Sequence, residues 1–228
     1  MNDKTRSLCH VLGHRFQQDA LLAQALTHRS AGSPNNERLE FLGDALLNWV
    51  IADALYRSHP QSSEGDLTRL RASLVSEPAL AEIAQSLNLG EYLKLGPGEL
   101  RSGGFRRQSI LADALEAVLA AVYLDTGLES AQSVILHLYR KSLEQLPDAE
   151  SLKDAKTRLQ EFLQGRGQAL PAYDVIEISG QAHNQKFRVR CAVPGGSQSQ
   201  QAEGTGSSRR QAEQAAAQDL LARLQAGA

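Results

Sequence analysis

Residues 36–56 read NERLEFLGDALLNWVIADALY, a stretch that is apolar along most of its length. Its few polar side chains after Leu39 include Glu40, Asp44 and Asn48, which recur every four residues. A spacing of four places side chains on one face of a helix. A helix that is apolar on its other faces is normally buried, where an ionised carboxylate is costly unless a cation meets it. We therefore predict a buried helix on which Glu40 and Asp44 need a cationic partner.

A second stretch, SILADALEAVLAAVYL at residues 109–124, repeats this pattern. Its carboxylates, Asp113 and Glu116, are three residues apart and therefore share a helical face. Four acids on two otherwise apolar helices predict one shared pocket. A site made of oxygen ligands, without His or Cys, favours Mg²⁺ or Mn²⁺ over zinc.

Arginine side chains offer an alternative partner for the same acids. Structural ion pairs also place carboxylates inside proteins. The first half of the chain offers Arg38, Arg69, Arg71, Arg106 and Arg107. The pattern alone leaves both the metal site and the ion pairs open.

Local signals predict where the helices begin and end. The segment SPNN at residues 33–36 breaks the chain and offers Asn36 as the N-cap of the first acidic helix. His28 follows an apolar run and is predicted simply to end a helix. Gly43 lies inside the acidic helix, where glycine costs about 1 kcal/mol relative to alanine. Close approach of a second helix would explain it.

Two motifs make a family resemblance specific. ERLEFLGDA at residues 37–45 resembles the signature of bacterial ribonuclease III, and DALE at residues 113–116 resembles the second acidic motif of that family. The resemblance extends over nearly the whole chain. It implies an all-α catalytic domain that forms a homodimer with Gly43 and Phe41 at the subunit interface. Packing of Gly43 within the chain is the other interpretation.

The resemblance also implies roles for the acids. Asp44 and Glu116 are expected to be catalytic. One or two Mg²⁺ ions, for which Mn²⁺ can substitute, are expected to bind Glu40, Asp44, Asp113 and Glu116. Glu37, in the signature, and Glu64, in a predicted helix start near the cleavage site, are secondary candidates.

The expected activity is metal-dependent cleavage of double-stranded RNA. By the resemblance, the products carry 5′-phosphate and 3′-hydroxyl ends with short 3′ overhangs, and the substrates are precursors of ribosomal RNA and structured messenger RNA. The alternative is a protein that binds double-stranded RNA without cleaving it. Such a protein would tolerate loss of the acids, but all four are present.

Composition is that of an ordinary globular protein, with 42% hydrophobic and 22% charged residues. The N-terminal stretch lacks the apolar core of a secretion signal, and the longest apolar run, residues 117–124, is too short to span a bilayer. We therefore expect a cytoplasmic protein with no membrane partner. Cys9 and Cys191 lie far apart without a CxxC pair, which predicts two thiols and no disulfide.

The glycine-rich segment GPGELRSGG at residues 96–104 is predicted to be a loop. It lacks the GK[ST] ending of a phosphate-binding P-loop, which excludes a nucleotide cofactor bound in that way. With its arginine neighbours it is instead suited to admit a nucleic-acid backbone beside the second acidic helix.

Both the balance of charges and the spacing of apolar residues change near residue 147. Residues 1–150 hold 14 basic and 19 acidic side chains, whereas residues 151–228 hold 10 and 7, so the basic excess lies at the C-terminal end. The segment PDAES at residues 147–151 breaks the preceding helix. We predict a catalytic domain over residues 1–147, a linker over 148–153 and a second domain over 154–228.

The second domain is predicted to be a small α+β domain. In KFRVRCAV at residues 186–193, polar and apolar side chains alternate, which is typical of a sheet with one covered face. The predicted order of elements, α-β-β-β-α, is that of the double-stranded RNA-binding domain. GTGSSRRQAE at residues 204–213 resembles the last-helix motif of that domain.

The resemblance implies three sets of RNA contacts in the second domain. They are Thr157, Gln160 and Glu161 on the first helix, His183 and Asn184 after the first strand, and Ser208, Arg209 and Arg210 at the last helix. A helix N-terminus with two arginines attracts phosphates, and such domains read A-form shape and 2′-hydroxyls rather than sequence. Glu213 stands where many such domains have a third basic residue, so we expect one phosphate contact fewer.

Overall fold

The computed structural model describes residues 3–149, 151–181, 185–194 and 200–226, with side chains from residue 6 onward. The chain divides into two compact units, Met1–Leu152 and Lys153–Ala228. This division lies inside the segment predicted as a linker, and the predicted domain bounds stay predictions. His183 and Asn184 lie outside the described residues.

The first unit is all-α, as predicted. Its described helices are α1 (Asp3–Leu12), α2 (Asp19–Ala25), α3 (Glu37–Ser58), α4 (Glu64–Leu74), α5 (Glu77–Ser86), α6 (Pro97–Arg101), α7 (Gln108–Thr126) and α8 (Leu128–Glu144). The short helix α6 occupies part of the segment predicted as a glycine-rich loop. None of the described helices combines the length and apolar character that a membrane span requires.

Helix α7 is the centre of the first unit. Between Ile110 and Val122 every side chain except that of Asp113 is buried. The helix packs against α2, α3, α5 and α8. Burial on all sides follows from a sequence that is apolar on all sides. Acids on α7 are therefore forced into the interior or its edge.

At Gly43, α3 lies directly against the backbone of α7. A Cβ atom on Gly43 would lie 2.0 Å from the carbonyl oxygen of Glu116, far inside van der Waals contact. The glycine therefore serves packing within the chain, one of the two interpretations left open above. Phe41, two residues earlier, is 81% exposed and remains accessible to a partner.

The helix starts agree with the predicted positions but not always with the predicted contacts. Asn36 directly precedes α3, yet its side chain makes no capping hydrogen bond. The neighbouring Asn35 caps instead, because its Oδ1 accepts a hydrogen bond from the backbone N–H of Glu37 at 3.2 Å. At α4, Ser63 and Asp66 form a reciprocal capping box.

The second unit has the predicted α-β-β-β-α order. Its elements are α9 (Ala155–Gln164), β1 (Ala172–Ser179), β2 (Lys186–Ala192), β3 (Gln201–Gly206) and α10 (Arg209–Ala226). The strands pair antiparallel in the order β1-β2-β3. The predicted alternation is confirmed, since Val189 and Cys191 are buried while Arg188 and Arg190 are exposed. The other cysteine, Cys9, is also buried, and neither forms a disulfide.

Asp125, near the end of α7, ties that helix to the segment before α2. Its side chain is fully buried and accepts hydrogen bonds from the backbone N–H groups of Gln17 and Gln18, both at 2.9 Å. His14 Nε2 lies 3.1 Å from its Oδ2. Burial opposes ionisation of Asp125, but these hydrogen bonds outweigh it and hold the pKa of the carboxyl below its usual value.

We expect Gly43→Ala to lower the free energy of unfolding by about 1–3 kcal/mol, because the added methyl group must separate α3 from α7. Thermal unfolding followed by circular dichroism measures the change. Gly98→Ala is the matched control, since nothing lies within 4 Å of a Cβ atom at Gly98 in α6. A Gly43→Ala variant as stable as the wild type would contradict this packing.

We expect the stability supplied by Asp125 to depend on pH. A carboxyl whose pKa is lowered by folding stabilises the protein fully above its unfolded pKa, about 3.9, and loses this effect as the pH falls through the folded pKa. Asp125→Asn should therefore be less stable than the wild type by about 1–3 kcal/mol at pH 7, with the gap narrowing as the pH falls below the unfolded pKa and through the lowered folded pKa. Thermal unfolding at a series of pH values measures the gap. An undiminished gap in acid would show that the charge of Asp125 is not the cause.

Candidate metal centre and nucleic-acid interface

The acids of α3 and α7 meet at one place. One carboxylate oxygen from each of Glu40, Asp113 and Glu116 lies within 4.8 Å of the others. Glu116 is buried, and the other two are half-buried. The fold explains this arrangement, because Gly43 brings α3 against the α7 backbone at Glu116 itself.

Asp44 lies beside this group of three acids rather than within it. It is exposed, and its Oδ1 accepts a hydrogen bond from Asn48 Nδ2 at 2.8 Å. Its charge nevertheless acts on Glu116 more strongly than the charges of Asp113 and Glu40 do. The four predicted ligands thus form one electrostatic cluster, in which three offer oxygen atoms at ligand spacing.

Burial and crowding raise the pKa values in this cluster. Burial comes first for Glu116, followed by the charges of Asp44, Asp113 and Glu40, and together they raise its pKa to about 8. The pKa values of Glu40 and Asp113 are also raised, again mainly by burial and then by neighbouring acids. At pH 7 the metal-free cluster therefore holds a proton on Glu116, which a divalent cation would displace.

The described part of the chain does not form the arginine ion pairs that were the alternative to a metal site. Among residues 6–149 as described, no salt bridge joins an arginine to any of the four acids. Arg69 pairs with Asp66 at 2.6 Å and Arg107 with Glu99 at 3.1 Å. Carboxylate oxygens that form no ion pair suit a hard divalent cation.

The cluster opens into a pocket of about 550 Å³, lined by Glu40 and Asp113 and by residues of the 28–37 segment. Hydrogen bonds attach this segment to a distant part of the chain. The backbone N–H of His28 donates to the carbonyl oxygen of Lys94 at 3.0 Å, and that of Gly96 donates to Ser30 Oγ at 2.9 Å. The pocket wall is therefore part of the folded unit.

Sequence reasoning missed the residues of this wall. His28 is predicted only to end a helix and Asn36 only to cap one, yet both line the pocket together with Ser30. The available signal was the THRS stretch at residues 27–30, with its polar and ionisable side chains, together with the position of Asn36 directly before the first acidic helix.

The two secondary candidates lie in different places. Glu37 lines the acidic pocket and contacts Arg29 at 3.5 Å. Glu64 lines a separate pocket with Trp49 and accepts a hydrogen bond from the Thr68 hydroxyl at 2.8 Å. The structure thus brings Glu37, but not Glu64, to the pocket of the acids within the single chain.

The residues predicted to contact RNA on α9 lie in its first two turns. The backbone N–H of Thr157 donates to Asp154 Oδ1 at 2.8 Å, which caps the helix. Gln160 and Glu161 are exposed in the next turn, where Lys153 contacts Glu161 at 2.6 Å.

The start of α10 lies against the start of α9. The backbone N–H of Lys156 donates to Gln214 Oε1 at 3.2 Å. Ser208 Oγ accepts a hydrogen bond from the N–H of Gln211 at 3.2 Å and caps the helix. The next two residues, Arg209 and Arg210, are exposed.

Glu213 is an interior residue of this domain. It is buried, contacts Lys156 Nζ at 2.6 Å and contacts Arg209 Nε at 2.8 Å. Hydrogen bonds from these two partners, that from Lys156 first, lower the pKa of its carboxyl despite burial. Glu213 therefore restrains Arg209. Its own buried position is one that a phosphate would not reach from the surface.

Comparison with known proteins agrees with this geometry. The Ribonuclease-III-like family model matches residues 18–143, and the model of the double-stranded RNA binding motif matches residues 155–224. Ribonuclease 3 of Vibrio vulnificus is 55% identical over 227 residues, and that of Vibrio cholerae is 54% identical over 227 residues. In both cases the match covers 100% of each chain.

Solved structures resemble the first unit. The nuclease domain of ribonuclease III from Campylobacter jejuni matches with a TM-score of 0.61 and 42% identity, over 64% of this chain and 100% of that chain. A second structure of that domain, described as showing flexibility in a region involved in dimer formation, matches with a TM-score of 0.59 and 44% identity, over 61% and 98% of the two chains. With relatives this similar over its full length, the chain belongs to the ribonuclease III family.

Proposed function

We propose that this protein is an endoribonuclease that cleaves double-stranded RNA by hydrolysing phosphodiester bonds. The observation that supports the activity most directly is the cluster of Glu40, Asp113 and Glu116 with Asp44 beside it. The same chain contains a double-stranded RNA binding motif at residues 155–224. A cation-binding centre joined to a duplex-binding domain has the parts that such an enzyme needs.

The four carboxylates are proposed to bind Mg²⁺, with Mn²⁺ able to substitute. Their donor atoms are all oxygens, which favours hard cations. When bound, the metal supplies a lower pKa for the attacking water and positive charge for the phosphate and the departing 3′-oxygen. Asp44 and Glu116 are proposed as the acids most closely tied to catalysis.

The residues of the chain supply placement and charge. Glu116 lies on α7, the most completely packed helix of the unit, so the core fixes its backbone. Its raised pKa favours the neutral form in the metal-free protein, which lessens the repulsion within the cluster until a cation arrives. Phosphodiester hydrolysis needs charge neutralisation and in-line geometry more than a protein nucleophile, so a cluster of acids suffices.

The second unit is proposed to bind the RNA duplex without reading its sequence. The free N–H groups at the start of α10, with Arg209 and Arg210, attract phosphates. Contact between α9 and α10 brings the α9 candidates near this phosphate site. The proposed contacts are Thr157, Gln160, Glu161, His183, Asn184, Ser208, Arg209 and Arg210.

Cleavage of both strands calls for two pockets, and a homodimer is proposed to supply them. On α3, Phe41, Trp49 and Tyr56 keep 81%, 49% and 72% of their surface exposed, which is unusual for aromatic side chains of a monomer. The description of the Campylobacter jejuni domain refers to dimer formation. The products are proposed to have 5′-phosphate and 3′-hydroxyl ends with short 3′ overhangs, from ribosomal RNA precursors and structured messenger RNA in the cytoplasm.

Binding of double-stranded RNA without cleavage is the alternative. A protein with that function would gain nothing from carboxylates that raise one another's pKa values, because unopposed buried acids cost stability. The retained cluster therefore favours the enzyme.

We expect the purified protein to cut a long perfect RNA duplex in Mg²⁺ and to leave it intact in EDTA, because the acids alone cannot neutralise the phosphate. Gel electrophoresis of end-labelled duplex measures the products, with single-stranded RNA and duplex DNA as controls. Binding without cleavage under every divalent metal tried would overturn the enzyme in favour of the alternative.

We expect Glu116→Gln to reduce cleavage by more than about 100-fold, because it removes a charged ligand, and to leave duplex binding in EDTA unchanged. Glutamine resembles the protonated side chain that the metal-free protein holds at pH 7, so the variant should fold normally. Mn²⁺ should raise the Tm of the wild type more than that of the variant. Glu82→Gln, at an exposed position on α5, is the matched control. Equal loss of binding and cleavage would point to misfolding instead.

A further inference from the structure

We propose that Asn36 binds the scissile phosphate of the RNA, with Nδ2 donating a hydrogen bond to a non-bridging oxygen. This assignment rests on the proposed function, to which it adds a residue. Counted over its backbone and side chain together, Asn36 is only 2% exposed, compared with 9% for Glu116 and for Glu213.

The amide of Asn36 has no partner within the described protein. Although the residue occupies the N-cap position of α3, its side chain makes no hydrogen bond there or with any other described residue. Glu213, by contrast, is held by two basic side chains. A buried amide without a partner costs folding free energy, and such groups persist where function uses them.

The amide is accessible from the pocket. Among the described residues, the polar side-chain atoms that are sealed from solvent and make no hydrogen bond are Arg69 Nε, Glu99 Oε2, Tyr139 Oη and Tyr173 Oη. The amide of Asn36 is not among them, so it retains some accessible surface. The pocket that Asn36 lines is the one that also contains Glu40 and Asp113.

Asn36 extends the stripe of acids by one helical turn. It precedes Glu40 by four residues, as Glu40 precedes Asp44, so the three side chains follow one face of α3. A phosphate held at the acids would therefore lie within reach of the amide. The backbone is fixed there, since the N–H of Asn36 donates to the Thr27 carbonyl at 2.9 Å.

The two arginines of the pocket already contact acids. Arg29 contacts Glu37 at 3.5 Å, and Arg107 contacts Glu99 at 3.1 Å. A neutral amide also suits this position better than an arginine, because an arginine would pair with Glu40 and compete with the metal. Asn36 thus offers a donor to an anionic group without opposing the cation that the acids bind.

Two variants separate the roles of the amide. Asn36→Leu keeps the volume and removes both polar atoms, whereas Asn36→Asp keeps an acceptor and removes the donor. We expect each to lower kcat about 100-fold, as loss of a single charge-stabilising donor does. For Asn36→Leu, the Kd for duplex RNA in EDTA and the affinity for Mn²⁺ should equal those of the wild type. Its Tm should be equal or higher, because no hydrogen bond is lost.

The matched control is Asn35→Ala. Asn35 is the residue that caps α3, so its loss should lower the Tm, but kcat should stay at the wild-type value. We therefore expect Asn35→Ala to lower the Tm but not kcat, and Asn36→Leu to lower kcat but not the Tm. A role of Asn36 in folding alone would instead lower the Tm of Asn36→Leu and leave its kcat at the wild-type value.

Each contrary outcome overturns a defined statement. Wild-type kcat in either Asn36→Leu or Asn36→Asp would overturn the donor assignment. Weaker Mn²⁺ binding by Asn36→Leu would make Asn36 a metal ligand and would also overturn it. A wild-type protein that does not cleave duplex RNA would overturn the proposed function together with this inference, whereas an active wild type beside an equally active Asn36→Leu would overturn the inference alone.

Discussion

The contact between the backbones of α3 and α7, at Gly43 and Glu116, is the constraint on which the first unit depends. Because glycine has no side chain, the two helices approach until their carboxylates lie at ligand spacing. The core and the site are thus positioned by the same contact. Its cost falls on the acids, since burial and mutual repulsion raise the pKa of Glu116 to about 8. This destabilisation by buried, mutually repelling acids lies at one place, where a bound cation would remove it.

The sequence predicted the helices, the strands and the cluster of acids because each leaves a periodic pattern along the chain. The spacing of Glu40 and Asp44 alone indicated a shared face. The pocket wall left no such pattern, because Ser30 meets Gly96 across 66 residues of chain. Nor could sequence separate Asn35 from Asn36 as the cap of α3, since small differences in backbone direction decide which amide reaches the helix.

In the second unit, a buried acid forms ion pairs with basic side chains near the surface. From the sequence, we expected Glu213 to replace a basic residue that contacts phosphate. Its burial depends on how α9 packs against α10, which the periodicity of the sequence does not reveal. From its buried position it pairs with Lys156 and with the exposed Arg209, and so restrains both cations. An arginine held in this way loses less conformational freedom when it meets a phosphate. An acid at this position would thereby orient Arg209, one of the residues proposed to bind RNA.

Both cysteines are buried, and burial raises the pKa of each thiol above its ordinary value. Such thiols hold little thiolate at neutral pH, and the thiolate is the form that reacts with maleimides. A cysteine introduced at the exposed Ala45 of α3 would therefore be the thiol that labels fastest, with both native cysteines retained. Two dye-labelled preparations could then be mixed, and energy transfer between them would show whether the proposed homodimer forms and exchanges subunits.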